Sequence, residues 1–248
     1  MKAVLLGTGD PLGMPVPLCD CRYCRQGQER LRTGLLVETS EASMVFDIGP
    51  DIRQQLLEVE TGSVDAFFAT HCHVDHFGGL PELHQLHTFT DKDVKLYGSG
   101  AVEEYIEGSF PWVNIDFHRL ENSSERIRDA EVHSFKVEHA ENMPMQGFAV
   151  EKDGKKIVYI PDLKKLPENQ AYRDADIAFV DGMYLFKKHV EEDENHATGE
   201  KLKEEIEKIN ADKVVLVNSS EHFNQMTRKE EKQETRYTIG EDLQEYRP

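Results

Sequence analysis

The sequence predicts a mixed α/β domain in which strands outnumber helices. Ten short apolar stretches have the length and composition of strands. Four segments with apolar residues at helical spacing lie between groups of these strands. No linker or internal repeat divides the 248 residues, so we expect one domain over residues 1–248. We also expect two facing mixed sheets flanked by helices, with ligand residues at one edge between them.

The strand assignments rest on local pattern. The stretch Ala66-Phe67-Phe68-Ala69 is rich in aromatic residues, too short for a helix and preceded by Gly62-Ser63. Two later strands flank Asp153-Gly154, a dipeptide typical of a hairpin turn. The predicted strands cover residues 2–6, 35–39, 44–47, 66–69, 94–97, 131–137, 147–151, 155–160, 177–180 and 214–217.

The helix assignments rest on end signals and apolar stripes. One helix begins near Thr198, a good N-cap residue, with Glu200 in the first turn and Leu202 and Ile206 on one face. Another has Pro50 in its first turn. The predicted helices cover residues 50–58, 81–89, 100–107 and 198–210.

Composition limits the functions that are open to the chain. Lys and Arg number 29 and Asp and Glu number 47, so the net charge is −18. Such a surface repels polyanions, and we expect no binding of long nucleic acid. No stretch approaches the roughly 18 apolar residues that span a bilayer, and the N-terminal apolar run is too short for a signal peptide. We therefore expect a cytoplasmic protein without membrane contact. The oligomeric state stays open, with a homodimer as one alternative.

The most informative motif is the run from Thr70 to His76, which follows the strand at 66–69. It places three imidazoles and a carboxylate within six residues, at His71, His73, Asp75 and His76. Imidazole and carboxylate together suit zinc, iron or manganese. A rigid sheet can hold this loop still, so the run predicts a metal site rather than a polar loop with chance histidines.

Three of the four cysteines also lie together, at Cys19, Cys21 and Cys24. In a cytosolic protein such clustering favours a metal, while a disulfide with one spare thiol is the alternative. Three thiolates leave one position of a tetrahedral zinc open, so a His or Cys from elsewhere is needed. We expect a structural zinc here that ties the loop at residues 11–31 to the body of the domain.

Other polar residues follow later strands or precede the last helix, and such positions usually converge at one end of a sheet. They are His139, Asp162, His196, Asn218 and His222.

Together these motifs resemble those of the metallo-β-lactamase-fold hydrolases. The resemblance is carried by the run from His71 to His76, by His139 and Asp162, and by Asp47, which matches an earlier motif of that superfamily. It implies an αββα four-layer sandwich. The chain is most similar to the PhnP-like phosphodiesterases, and the Cys cluster also resembles that of the PqqB family. The segments that carry this narrower likeness are Gly7-Thr8-Gly9 with the Cys cluster, residues 162–168, and Asn195-His196.

The resemblance implies two active-site divalent metals, Zn or Mn and alternatively Fe, and one structural Zn. It also implies that Asp75 and His196 are catalytic and that His196 meets the substrate phosphate. The implied ligands are His71, His73 and His139 for the first metal, Asp75 and His76 for the second, and Asp162 for both.

One position departs from the family pattern. The family usually has a His directly after the final core strand, whereas this chain has Asn218, with His222 four residues later. A neutral amide oxygen is a weaker ligand for a transition metal than imidazole, so Asn218 is an uncertain ligand. His222 could reach back to the second metal, but we expect it to complete the Cys zinc site.

Three functions remain open at this level. The leading hypothesis is a binuclear metal-dependent phosphodiesterase acting on a small anionic substrate, such as a cyclic ribose or nucleotide phosphodiester. Bound cations would dominate the field inside the site despite the acidic surface. The alternatives are a thioester or lactone hydrolase of the same fold and a PqqB-like metal-binding protein with little turnover. A tRNA-processing nuclease is disfavoured by the net charge.

Overall fold

Two facing seven-stranded sheets lie at the centre of the computed structural model, which describes residues 1–59, 61–187 and 190–248. The first sheet has the order β14-β1-β2-β3-β4-β5-β6 and the second β13-β12-β11-β10-β9-β8-β7. The strands of the first sheet are β1 (Lys2–Gly7), β2 (Gly34–Glu38), β3 (Ser43–Phe46), β4 (Ala66–Phe68), β5 (Lys95–Gly98), β6 (Asp116–Arg119) and β14 (Glu245–Tyr246). Those of the second are β7 (Ser124–Ile127), β8 (Ala130–Val137), β9 (Met145–Lys152), β10 (Lys155–Ile160), β11 (Ile177–Asp181), β12 (Lys213–Val217) and β13 (Thr238–Ile239).

Both sheets are mixed in the same way. Strands β3 to β6 run parallel in the first sheet, and β10 to β13 run parallel in the second. The remaining neighbours pair antiparallel. Because parallel strands end at the same edge, residues that follow β3, β4, β10 and β12 are brought to one rim of the molecule.

Helices cover the outer faces of the sheets. Helices α2, α4 and α5 pack on the first sheet through apolar residues such as Ile52, Leu83 and Ile106. Helix α6 packs on the second through Leu202 and Ile206. The predicted αββα sandwich with two mixed sheets is confirmed. The helices are α1 (Arg22–Gln26), α2 (Ile52–Glu58), α3 (Val74–Phe77), α4 (Leu80–Phe89), α5 (Gly100–Ser109), α6 (Gly199–Glu207), α7 (Glu221–Asn224) and α8 (Arg228–Glu234).

Aromatic side chains dominate the core between the sheets. The ring of Phe46 stacks on that of Phe68 at 4.8 Å and lies 5.5 Å from that of Phe148, which belongs to the opposite sheet. Buried aromatic pairs of this kind add to the stability that comes from their buried apolar area. Alternate residues of the strands face this core, and their neighbours face the helices, as the period of two requires.

The sequence did not predict the four strands at the edges of the sheets. Strand β6 has the polar sequence Asp-Phe-His-Arg, β7 is exposed over its first three residues, and β13 and β14 have two residues each. None of them buries both faces, so none has a continuous apolar run. No helix of the described chain is long and apolar enough to cross a membrane.

Candidate metal centre

The histidine-rich loop is clamped against the segment that follows β3. The Ile48 N–H donates to the His76 carbonyl at 2.8 Å, and the Gly79 N–H donates to the Ile48 carbonyl at 2.7 Å. A side chain at Gly49 could not be accommodated, because its Cβ would lie 2.2 Å from the carbonyl oxygen of Asp75. The loop therefore owes its position to backbone contacts as close as only glycine permits.

The structure brings the first set of predicted ligands together. His71 Nε2 lies 2.9 Å from His73 Nδ1 and 3.1 Å from Asp162 Oδ2. His139 Nε2 lies 3.2 Å from His73 Nδ1 and 3.4 Å from the same Asp162 oxygen. Four candidate ligand atoms thus lie within 4.8 Å of one another, in a site where His71, His139 and Asp162 are buried. Three nitrogens and a carboxylate oxygen form a donor set that suits a zinc or manganese ion.

The second set converges on the other side of the same carboxylate. His76 Nε2 lies 3.0 Å from Asp75 Oδ2 and 3.3 Å from Asp162 Oδ2. Although this nitrogen is fully buried, it makes no hydrogen bond with any described residue. The nitrogen and the oxygens are therefore close without being aligned as donor and acceptor, and ligand atoms that share a cation have this relation. A buried polar atom without a partner is costly, so the site fits a metal.

Asp47 holds the second ligand set in place by contacting His76 on the side away from its ligand nitrogen. Its Oδ2 lies 2.8 Å from His76 Nδ1 and accepts a hydrogen bond from the Tyr159 hydroxyl at 3.0 Å. Its Oδ1 accepts from the backbone N–H and the hydroxyl of Thr70, at 2.9 and 2.8 Å. A carboxylate on Nδ1 leaves Nε2 as the free ligand atom, an arrangement common behind metal-bound histidines.

Asp47 reaches this position through a left-handed backbone conformation, with φ 64° at the end of β3. The sequence matched Asp47 to a family motif without giving it a contact. The sequence did not predict that Thr70 and Tyr159 hydrogen-bond to Asp47. A tyrosine inside an apolar strand looks like an ordinary core residue.

Electrostatics at the centre are dominated by carboxylates. Burial alone would lower the pKa of His76, but Asp75, Asp162 and Asp47 raise it well above its usual value. Burial would raise the pKa of Asp162, but the neighbouring His76 and the hydrogen bond from His71 keep it well below its usual range. The buried field therefore attracts positive charge, which a divalent cation would supply.

His196 is positioned by Asp181, which the sequence did not identify as a site residue. Its Nδ1 lies 2.7 Å from Asp181 Oδ2, and its ring centroid lies 4.7 Å from that of His139. Asp181 Oδ2 also accepts from the Leu163 N–H at 3.0 Å, and Oδ1 accepts from the Met183 N–H at 2.8 Å. Because both oxygens of Asp181 are occupied, we interpret it as the residue that orients His196. Its position at the end of a buried strand was the signal available in the sequence.

Asn218 lies at the centre, in the position where the family usually has histidine. Its Nδ2 donates a hydrogen bond to Asp162 Oδ1, and its backbone N–H donates to the Thr33 hydroxyl at 3.0 Å. Its side-chain oxygen is buried and has no partner among the described residues. The amide therefore meets the carboxylate through its nitrogen. That its oxygen is a weak metal ligand remains a prediction.

A separate cluster of candidate metal ligands, the Cys cluster, lies near the start of the chain. His222 Nδ1, on α7, lies 3.6 Å from Cys19 Sγ, 3.5 Å from Cys21 Sγ and 3.3 Å from Cys24 Sγ. The structure thus places His222 with the thiols, as expected, and the zinc that these four residues would bind remains a prediction. The Cys24 N–H and the His222 ring lower the pKa of Cys21 to about 6, whereas burial raises the pKa of Cys24 to about 11. Three thiols and one imidazole are a complete ligand set for tetrahedral zinc.

A cavity of about 780 Å³ opens beside the first ligand set. Its lining includes His73, His139 and Asn195, the lysines Lys136 and Lys164, and the carboxylates Glu138, Glu141 and Glu194. Its volume is in the range of small-molecule sites, and its lining carries three carboxylates and two lysines.

The two sheets and the ligand set at their shared rim define a metallo-β-lactamase fold. Residues 43–217 match the family described as Beta-lactamase superfamily domain, and the chain belongs to this superfamily. An octanoyltransferase of Porphyromonas gingivalis is 26% identical over 239 residues, which cover 90% of this chain and 46% of that protein. A ribonuclease Z of Haloferax volcanii is 29% identical over 150 residues, covering 56% of this chain and 43% of that protein. The chain thus spans about half the length of these curated relatives.

Two solved structures share the fold over almost the whole chain. A diphosphatase from the PhnP family superposes with a TM-score of 0.83 at 22% identity, covering 99% of this chain and 97% of that one. Zn²⁺-bound PqqB from Methylobacterium extorquens superposes with a TM-score of 0.81 at 19% identity, covering 100% of both chains. At these identities the likeness establishes the fold.

Proposed function

We propose that this chain is a metal-dependent phosphodiesterase that hydrolyses a small phosphodiester at a two-metal site. The observation that carries the proposal is the convergence of two ligand sets on Asp162, next to a histidine that Asp181 orients. The family and the fold of the PhnP-family diphosphatase support it.

The residues divide between two cations. His71, His73 and His139 would hold the first, Asp75 and His76 the second, and Asp162 would contact both. When bound, divalent cations supply Lewis acidity to a phosphoryl oxygen and make a coordinated water more acidic. Zinc or manganese fits the nitrogen-rich donor set, and iron is the alternative.

The chain itself contributes binding and proton transfer. Lys136 and Lys164 line the cavity and would donate hydrogen bonds to an anionic substrate, while Glu138, Glu141 and Glu194 share that lining. His196, with Nδ1 held by Asp181, keeps Nε2 for a hydrogen bond to a phosphoryl oxygen or for protonation of the leaving alkoxide. His196 would thus discriminate a phosphodiester from a neutral acyl substrate.

Asn218 favours a second candidate, a metal-binding protein with little turnover. Its amide replaces an imidazole at the family's last ligand position and binds Asp162 through nitrogen. A weaker second metal site would follow, because an amide oxygen is a poorer donor to zinc than imidazole. Metal stoichiometry therefore separates the two candidates. A binuclear enzyme holds two ions at the buried centre, whereas the alternative holds fewer and turns over little even when metal is added.

The test is a panel of substrates with protein reconstituted separately with Zn²⁺ and Mn²⁺. We expect cleavage of bis(p-nitrophenyl) phosphate and of a nucleoside 2′,3′-cyclic phosphate, with little cleavage of a thioester, a lactone or precursor tRNA. His196→Ala should lower phosphodiester turnover by about a hundredfold. Lys203→Ala, on the exposed surface of α6, is the matched control and should have no effect. Preferential cleavage of an acyl substrate, unaffected by His196→Ala, would contradict the proposal, and efficient processing of precursor tRNA would replace it.

A further inference from the structure

The turn from Asp193 to His196 connects two histidines of the metal centre. It ends at His196, and the carbonyl oxygen of Asn195 lies 2.8 Å from His139 Nδ1. A carbonyl that accepts from Nδ1 fixes the ring of a metal-binding histidine and leaves Nε2 as its ligand atom. The conformation of this turn therefore affects both the first metal, which His139 would hold, and the histidine that would meet the phosphate.

Asp193 holds the turn in this conformation. Its Oδ1 accepts hydrogen bonds from the backbone N–H groups of Asn195 and His196, each at 2.9 Å. An aspartate that accepts from the N–H groups of the following residues in this way stabilises a turn through its own side chain. Directly after the turn, the Ala197 N–H donates to the Leu163 carbonyl at 2.7 Å, which ties the segment to the body of the domain.

Tyr184 packs against the His196 imidazole. The ring centroid of Tyr184 lies 5.5 Å from that of His196 and 5.3 Å from that of Phe223, whose ring is inclined to it at 89°. The Tyr184 hydroxyl donates a hydrogen bond to the Asp193 carboxylate. Tyr184 is thus held at its ring and at its hydroxyl, and it joins the imidazole to the side chain that shapes the turn.

These contacts add to the hydrogen bond that Asp181 accepts. A single hydrogen bond at Nδ1 fixes the position of one ring atom, whereas the plane of an imidazole is set by the groups that pack against it. The side chain of His196 is only 12% exposed, so neighbouring residues rather than water surround it. Such pre-organisation matters, because misplacement of a reacting group by about 1 Å can lower a rate about a hundredfold.

We propose that Asp193 and Tyr184 are positioning residues. Asp193 shapes the turn that carries His196 and the Asn195 carbonyl, and Tyr184 fixes the plane of the His196 imidazole. The inference rests on the proposed function, because His196 is the residue that would meet the phosphate. Loss of Asp193 should disturb both His196 and His139. Loss of Tyr184 should disturb His196 alone, since Asp193 would keep its two backbone hydrogen bonds.

The first experiment measures zinc affinity and the cleavage of bis(p-nitrophenyl) phosphate by the zinc-loaded protein. Asp193→Ala should weaken zinc binding at the buried centre about tenfold and lower kcat about tenfold. Tyr184→Ala should lower kcat about tenfold, with KM and zinc affinity unchanged. Asp193→Asn keeps an acceptor oxygen for the two N–H groups and should restore most of the zinc affinity. Glu192→Ala, at an exposed residue of the same loop, is the control and should change none of these quantities.

A double variant separates positioning from a general structural role. In a His196→Ala background, Tyr184→Ala should have no further effect on kcat, because Tyr184 acts through His196. An equal loss of kcat from Tyr184→Ala in both backgrounds would contradict the inference.

The second experiment needs no turnover. It follows the imidazole signals of His196 by NMR in protein labelled with ¹⁵N-histidine, with His196→Gln for their assignment. We expect Asp193→Ala and Tyr184→Ala to shift these signals and Glu192→Ala to leave them in place. Tyr184→Phe, which removes only the hydroxyl contact with Asp193, should cause a smaller shift, and it serves as the test if the alanine variants do not fold.

The outcomes separate the positioning of His196 from the proposed function. Signals that none of the Asp193 and Tyr184 variants move overturn the inference, even if the parent protein cleaves bis(p-nitrophenyl) phosphate. Signals that move in a protein that cleaves no phosphodiester support the positioning of His196 and refute the proposed function.

Discussion

The two ligand clusters of this chain differ in how their residues are held. Cys19, Cys21 and Cys24 belong to one partly exposed segment that includes the start of α1, and a single remote residue, His222, meets them. The buried centre collects residues from the ends of several strands in both sheets, and its histidines are oriented by hydrogen bonds that Asp47 and Asp181 accept. The Cys cluster would therefore depend on its metal for structure, whereas the buried centre is organised by the fold that surrounds it.

A short segment joins the two clusters. Asn218 lies at the buried centre and His222 lies at the thiols, four residues further along the chain. Between them, the Ser220 hydroxyl donates to Asp10 Oδ2 at 2.5 Å and also accepts from the Phe223 N–H at 3.1 Å. The difference between the clusters can thus be tested by changes on each side of this segment.

The largest effect should come from Asp162→Asn, because this carboxylate touches both ligand sets. We expect phosphodiester turnover to fall by about three orders of magnitude and the buried centre to lose metal. The Cys cluster should keep its zinc, which metal analysis of the purified variant would show. Asp176→Asn, a change at a carboxylate remote from both clusters, is the control. A variant that retained full activity would exclude Asp162 as a ligand.

Cys21→Ser should have the reverse pattern, with a loss of stability rather than of chemistry. Removal of one thiolate should release the structural zinc and lower the free energy of unfolding by about 3 kcal/mol, or the melting temperature by roughly 6–12 °C. The ligands of the buried centre should be intact. Arg25→Ala, on the same loop, should retain zinc and stability. An unchanged melting temperature and zinc content in Cys21→Ser would refute the structural zinc.

The segment between the clusters is tested by His222→Ala and Asn218→His side by side. We expect His222→Ala to remove only the zinc bound by the cysteines. Asn218→His should tighten the second active-site metal by about tenfold, because imidazole is the better donor and histidine tolerates the left-handed conformation at φ 55°. Metal titration measures both effects. If His222→Ala instead releases an active-site ion, His222 serves the buried centre.

The smallest effect should come from Tyr159→Phe, which removes one hydrogen bond to Asp47. The free energy of unfolding should fall by about 1–2 kcal/mol, because the carboxylate oxygen is buried and loses a donor. His76 keeps its own contact with Asp47, so metal content should be unchanged. Denaturant unfolding of the two proteins is the measurement. A loss of metal in this variant would show that the buried centre is less rigid than the comparison of the two clusters implies.

Residue patterns predicted some parts of the molecule better than others. The apolar runs that form β1 to β5 and β8 to β12 were recognisable because these strands bury at least one face. The edge strands β6 and β7 were not, because solvent exposure removes the apolar signal. Tyr159 and Asp181 were missed as parts of the centre for a related reason. A residue inside or at the end of a buried strand resembles an ordinary core residue. Its role becomes clear only from the side chain that it contacts.

The sequence by itself determined which apolar runs form strands and where the ligands from His71 to His76 lie, because strand pattern and ligand spacing are local properties. The sandwich of two sheets followed from the resemblance to the family. Only the tertiary structure decided which residues meet across long separations. His222 lies 198 positions from Cys24, and Asn218 lies 56 positions from Asp162. Contacts over such separations depend on how the sheets pack and where their strands end, so no local pattern distinguishes a histidine bound to the thiols from one that completes the buried centre.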